Sequence, residues 1–131
     1  MRRVIASLAI FAGIVFLVIG TFMFMLLRNQ QTVLNETIEP IEFQTLTDGI
    51  YEGTYHGTRW ENTVRVTIAE GKIIAIEVLD DMMIVDDFVQ AQLFIRVKEA
   101  ESLDVDAISG ATISSTAYLK AIEDALLQAK K

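Results

Sequence analysis

From Val4 to Leu27 the chain carries no charged side chain, and the only polar side chains among these 24 residues are Ser7 and Thr21. About 20 apolar residues in helical form cross the ~30 Å hydrocarbon core of a bilayer. This stretch is therefore read as a transmembrane helix, with residues 1–28 as a membrane anchor that touches lipid through residues 4–27. A cleaved secretory signal has a shorter apolar core of ~7–15 residues that ends on small side chains. Here Gly20-Thr21-Phe22-Met23-Phe24-Met25 is bulky where a peptidase needs small residues. Arg2 and Arg3 precede the span, Arg28 follows it, and the next base, Arg59, lies outside the ~15–20 residue window in which positive charge sets orientation. The expected arrangement is single-pass in the cell membrane, amino terminus in the cytoplasm, carboxy-terminal part outside.

Beyond Arg28 the composition changes sign. That part holds all 18 Asp and Glu against eight Lys and Arg, a net charge of −10. Nucleic-acid binding rests on neutralising phosphates with clustered bases. The largest basic cluster here is the terminal Lys130-Lys131, so nucleic acid is excluded as a partner. The absence of cysteine rules out disulfides, a thiolate nucleophile and a thiolate zinc site.

Residues 29–46 are polar and acidic and contain the only proline, Pro40. No face of this stretch buries enough apolar area to fold alone, so it reads as a linker, with some of Val33, Leu34, Ile38, Ile41 and Phe43 available to dock on the domain after it. From residue 47 to 131 the pattern is that of one small domain. Val64, Val66 and Ile68 alternate with Arg65 and Thr67, as a half-buried strand requires. Glu70-Gly71 interrupts, Ile74, Ile76 and Val78 resume, and Gly71 supplies the turn's positive φ. Ile50–Tyr55, after Asp48-Gly49, is expected to pair as a third antiparallel strand. Asp86 or Asp87 caps a mostly buried helix from Phe88 to about Glu99, and Ser114 or Ser115 caps a last helix in which Tyr118, Ala121, Ile122, Ala125, Leu126 and Ala129 recur at helical spacing. Strands first and helices later give an α+β fold, a two-layer domain of antiparallel sheet packed with helices.

The hydroxyls concentrate at one junction. Ser109, Thr112, Ser114 and Ser115, with Gly110 and Ala111 among them, are placed where a short strand, Leu103 to Asp106, gives way to the last helix. Free N–H groups and the positive end of a helix dipole favour a phosphate there. The same hydroxyls also suit helix capping and turn closure, with no ligand at all.

Asp106-Ala107-Ile108-Ser109-Gly110-Ala111-Thr112-Ile113-Ser114-Ser115 resembles the flavinylation motif of the FMN-binding domain family, found in a periplasmic subunit of the sodium-translocating NADH:quinone reductase and its relatives. Asp48–Gly53 resembles that family's opening strand, Glu70–Ile73 its hairpin turn, and Ala117–Leu126 its closing helix. The resemblance implies that residues 47–131 are an FMN-binding domain, that FMN is the cofactor, and that its phosphate is esterified to the hydroxyl matching Thr112. It implies as partners a flavin transferase that uses FAD and magnesium, and membrane reductases or quinone-linked redox proteins. Ser109, Gly110, Ala111, Ser114 and Ser115 then form the surroundings of the phosphate, and Asp106 matches the motif's acid, which serves motif recognition and turn geometry.

One stretch departs from the family. Larger relatives often carry Glu-Thr-Pro-Gly near the flavin after the second hairpin strand, where this chain has Asp80-Asp81-Met82-Met83-Ile84-Val85. Met82, Met83, Tyr55 and Trp60 read more simply as packing residues or exposed hydrophobes than as ring contacts. The acid pairs Asp80-Asp81 and Asp86-Asp87 read as a solvated loop and a helix start. His56, the only imidazole, reads as a surface residue. No side chain reads as an acid–base catalyst or a metal ligand. The functional expectation is a membrane-anchored electron carrier outside the cytoplasm. Its rivals are a non-covalent FMN-binding domain or small flavin reductase, and, from another class, a flavin-free anchored interaction module.

Overall fold

The computed structural model describes residues 1–130, with Asn29 and Gln30 described by backbone alone. The chain divides into two compact units, Met1–Thr32 and Val33–Lys131. Helix α1, Arg2–Leu34, holds all of the first unit but Met1, ends two residues into the second, and is long and apolar enough to cross a membrane. Its two polar side chains within the apolar stretch need no outside partner. Ser7 Oγ donates to Arg3 O and Thr21 Oγ1 to Leu17 O, both at 2.8 Å, so their hydroxyl protons are satisfied one turn back within the helix.

The second unit is α+β, in two layers. Strands β1 (Gly49–Tyr55), β2 (Asn62–Ala69) and β3 (Lys72–Asp80) form an antiparallel sheet in the order β1-β2-β3, and helices α2 (Asp87–Ala100) and α3 (Thr112–Ala129) follow. The alternation in β2 becomes burial: Val64, Val66 and Ile68 lie in the core. The opposite face is polar. Arg65 there reaches Glu52 on β1 at 2.8 Å and Glu77 on β3 at 3.8 Å, an exposed ladder worth only a few tenths of a kcal/mol per pair. Glu70 and Gly71 make the hairpin turn, both with positive φ. The β2–β3 pairing shifts register twice, at Thr63/Val64 and Thr67/Ile68. Leu79 and Ile74 of edge strand β3 fall at these shifts, without a cross-strand partner and exposed; such bulges disturb an edge that could otherwise template pairing.

Helix α3 lies across β1 and β2. Its apolar stripe is buried from Ala117 to Ala129. The contact with β1 is unusually close at Gly53, where an added Cβ would stand 2.0 Å from Ala121 O and 2.3 Å from Ala125 N. α3 also covers the free edge of β1: Thr54 N–H donates to Asp124 Oδ2 at 2.9 Å, and Gln128 Nε2 donates to Glu52 O at 2.7 Å.

Three expectations are corrected, after one observation on residues 29–46, read as a linker with residues available to dock: α1 continues to Leu34, and Val33, Ile41, Phe43 and Leu46 are buried in the second compact unit. Apolar residues too sparse to fold alone still dock on a preformed surface. α2 is capped by Asp86, which accepts from the N–H groups of Phe88 and Val89, but it is not mostly buried. It touches its neighbours along Val89, Leu93, Phe94 and Val97, and Phe88 and Ile95 face solvent. No strand leads into α3, because Leu103–Asp106 has no paired neighbour among the described residues. Finally, α3 starts at Thr112 with Ala111 at its N-cap, so neither Ser114 nor Ser115 caps it.

Candidate functional site

The hydroxyl-rich segment forms a fixed turn ahead of α3. Arg96 of α2 holds its entry, donating from Nη1 to Asp106 O at 2.9 Å and to Ala107 O at 3.5 Å. Ile108 is buried, and its N–H donates to Ser115 Oγ at 3.1 Å. Ala111 N–H donates to Ile108 O and Ser115 N–H to Ala111 O, both at 2.9 Å. Gly110 has φ +79°, which suits glycine, and a Cβ placed on it would meet nothing within 4 Å. The turn is thus anchored beneath and open above.

Thr112 is exposed at the first position of α3, and Ser109 and Gly110 are exposed beside it. Helix geometry leaves the N–H groups of Thr112, Ile113 and Ser114 without an intrahelical acceptor. Ala111 has no side chain to cap them, and the first turn holds no acid. An exposed hydroxyl beside open backbone and uncapped amides fits a phosphate ester, both sterically and electrostatically. Ser115 belongs to the support. It is 0% exposed and its oxygen accepts from the Ile108 N–H, so its hydroxyl is already spent on the turn. Replacing Ser115 with alanine orphans the buried Ile108 N–H, and about 1–3 kcal/mol of stability should be lost; chemical denaturation followed by Trp60 fluorescence measures this, and a loss below a few tenths would contradict the role.

Three groups joined at Tyr118 of α3 had no functional signal in the sequence. Tyr118, 1% exposed, donates its hydroxyl to Asp81 Oδ1 at 2.6 Å; Gln90 Nε2 donates to Asp81 Oδ2 at 3.3 Å and to Tyr118 Oη at 3.4 Å. Asp81, read as solvated, is therefore the acceptor that ties the β3–α2 loop to α3. Phe94 meets the Tyr118 ring edge-on, with centroids 5.6 Å apart. Burial first, and the hydrogen bond to Asp81 second, push the Tyr118 phenol well above its ordinary value of 10.0. Below that ordinary value both folded and unfolded chains hold the proton, so the contribution is complete. Above it the unfolded chain releases the proton first, so stability falls as pH rises towards the folded-state pKa. Tyr118→Phe should cost about 1.5–3 kcal/mol at neutral pH and flatten the loss of stability above pH ~10. Parallel alkaline profiles for parent and variant would count against this.

The β1–β2 and β3–α2 loops meet where Met83 N–H donates to Arg59 O at 3.2 Å. Of the aromatic and methionine residues near this end, Tyr55 and Met82 are buried and Trp60 packs partly buried under the Arg59 guanidinium at 5.1 Å. Met83 and Ile84 are 76% and 74% exposed. His56 is exposed and faces Glu61 at 3.6 Å.

Residues 57–127, which contain β2, β3, α2, the turn and most of α3, match the sequence profile of the FMN-binding domain. The chain belongs to the FMN-binding domain family. It is a flavoprotein and FMN is its cofactor. The FMN-binding match begins after β1, so the Asp48–Gly53 resemblance lies ahead of it, and the Asp106–Ser115 motif falls inside it. The chain is also similar to a protein of Treponema pallidum (strain Nichols) described as uncharacterized, 35% identical over 86 residues that make up 62% of this chain and 23% of that protein. This chain thus spans less than a quarter of that relative's length.

Proposed function

We propose that this FMN-binding protein is a membrane-anchored electron carrier, with FMN esterified through its phosphate to Thr112 and held outside the cytoplasm. The observation that carries the reading is the geometry at Thr112: an exposed hydroxyl at an uncapped helix start, inside the stretch that matches the family. In the attachment reaction, Thr112 Oγ1 takes the FMN phosphoryl group from FAD under a magnesium-dependent transferase. The new bond is the P–O ester, the bond broken is the FAD pyrophosphate, AMP leaves, and the hydroxyl proton passes to the medium.

The chain's own residues supply position. The amides of Thr112, Ile113 and Ser114 face the place of the phosphate and offset its charge. Gly110 leaves room for the transferase to reach the hydroxyl, and Asp106, exposed at the turn's entry, serves motif recognition. Bound FMN supplies one- and two-electron redox chemistry, while the protein provides attachment and orientation. The partners are a membrane reductase or quinone-linked redox protein on one side and an acceptor on the other. Helix α1 keeps the carrier at the membrane, and the arginines at the two ends of its apolar stretch, Arg2 and Arg3 against Arg28, favour the domain outside.

Denaturing the chain after co-expression with the transferase tests the reading. Flavin fluorescence should stay with the unfolded polypeptide. Fluorescence released into the supernatant would favour the non-covalent alternative, an FMN-binding domain or small reductase.

A further inference from the structure

An acidic groove opens one helical turn from Thr112, and part of its wall comes from residues 36–40, ahead of the stretch that matches the family. Helix α3 fixes that wall. Glu123, 2% exposed, pairs with Lys120, and its Oε1 accepts the Glu39 N–H at 2.7 Å, while Lys120 Nζ donates to Thr37 O at 3.2 Å. A buried ion pair is costly unless its remaining hydrogen bonds are met; here the backbone of Thr37 and Glu39 meets them. The groove has a volume of about 520 Å³ and is apolar at Ile38, Leu103 and Val105. Thr116, also in its lining, follows Thr112 on the same face of α3, about 6 Å along the axis, and its Oγ1 donates to Thr112 O at 2.9 Å.

The carboxylates of Glu36, Glu39 and Asp104 line the same groove. Glu39 and Asp104 are exposed, and neither side chain has a hydrogen-bond or ion-pair partner among the described residues. Glu36 stands 4.0 Å from Lys120, whose charge Glu123 already matches. An adjoining cavity shares Asp104 and Val105 and adds Arg96, Glu99 and Asp106. Lys120 and Arg96 are thus outnumbered by Glu36, Glu39, Glu99, Asp104, Asp106 and Glu123.

Such a surface repels a free flavin phosphate, but it suits an enzyme that brings the phosphate in already neutralised. Phosphoryl transfer is catalysed by a metal ion and Lys or Arg side chains gathered around the phosphorus. A transferase that esterifies Thr112 must therefore present a positive face where it meets the hydroxyl. A second copy of this chain, with a net charge of −10 beyond Arg28, is disfavoured by like charge, and so is an anionic lipid surface.

We propose that this groove is the docking site of the flavin transferase, with basic side chains from the mouth of its active site reaching Glu39 and Asp104 and their aliphatic stems lying along Ile38 and Val105. The inference rests on the esterification put forward above and adds a surface, outside the Asp106–Ser115 motif, by which the enzyme finds Thr112. Contacts of this wet, charge-paired kind set encounter and affinity and leave the chemical step alone.

Flavinylation of the purified full chain in detergent, with the transferase, FAD and saturating magnesium, gives kcat and KM for the chain as substrate. Glu39→Gln combined with Asp104→Asn keeps the shape of both side chains and removes two charges. Its KM should rise roughly three- to tenfold, as the loss of two exposed charge contacts implies, with kcat unchanged, the mark of lost uniform binding. Added salt should raise the KM of the parent more steeply than that of the double variant. Glu77→Gln, which removes one exposed charge from the sheet, should behave like the parent. A fall in kcat in place of a rise in KM, equal salt dependence in parent and double variant, or an equal rise in KM for Glu77→Gln overturns the docking site. A parent that takes up no flavin overturns the esterification and the docking site together, and a flavinylated parent whose KM the double variant shares overturns the docking site alone.

Discussion

Gly53→Val is expected to unfold the domain or leave it barely stable. An added Cβ at Gly53 would stand 2.0 Å from Ala121 O and 2.3 Å from Ala125 N. These are helix backbone atoms, so no rotamer change relieves the clash, and α3 must lift from β1 or β1 must leave the sheet. Overpacking ordinarily costs about 1–3 kcal/mol; here the cost should be at the top of that range or above it. Moving α3 also weakens the bonds from Asp124 to Thr54 and from Gln128 to Glu52. For a domain of this size each kcal/mol corresponds to roughly 4–8 °C in Tm. Trp60, the only tryptophan, reports on the domain without interference from α1. A Gly53→Val melt within a few degrees of the parent would show that the close packing of β1 and α3 does not hold this fold together.

Thr112→Ala should remove the covalent flavin completely and leave the fold intact. Thr112 is exposed, and the hydrogen bond it takes part in uses its carbonyl, which alanine keeps. The stability change is expected within about 0.5 kcal/mol, as for other surface substitutions. Thr112→Ser keeps a hydroxyl at the same position and should retain at least part of the flavin if the transferase tolerates loss of the methyl group. Alanine therefore separates a covalent carrier from a non-covalent FMN-binding domain: the first loses its flavin, while the second keeps flavin that is released on denaturation. Covalent flavin persisting in Thr112→Ala would move the attachment to another hydroxyl, with Ser109 the nearest exposed one.

Features set by local chemistry were legible in the sequence. The alternation of Val64, Val66 and Ile68, the turn at Gly71 and the cap at Asp86 each depend on neighbours a few residues away, and each stands where it was expected. The motif around Thr112 was legible through its resemblance to a family. What depends on distant partners was not. Ser115 looked like a cap because several hydroxyls crowd the start of α3; its real partner, Ile108 N–H, requires a turn that sequence spacing does not reveal. Gly53 gave no sign of α3 overhead. The docking of residues 33–46 depends on surfaces made by later parts of the chain, and Lys120 and Glu123, which hold part of that stretch, looked like ordinary polar positions of a helix. Asp81 likewise acquired its role only when Tyr118 was brought to it from 37 residues away.

The central claim is the bond between FMN and one side chain. Chain co-expressed with the transferase, digested and fragmented by mass spectrometry, tests it most directly. The account predicts a peptide containing Thr112 that is heavier by one FMN less one water, with fragment ions that place the addition on Thr112. The same peptide recovered unmodified from flavin-bearing protein, or the addition found on another residue, would contradict it.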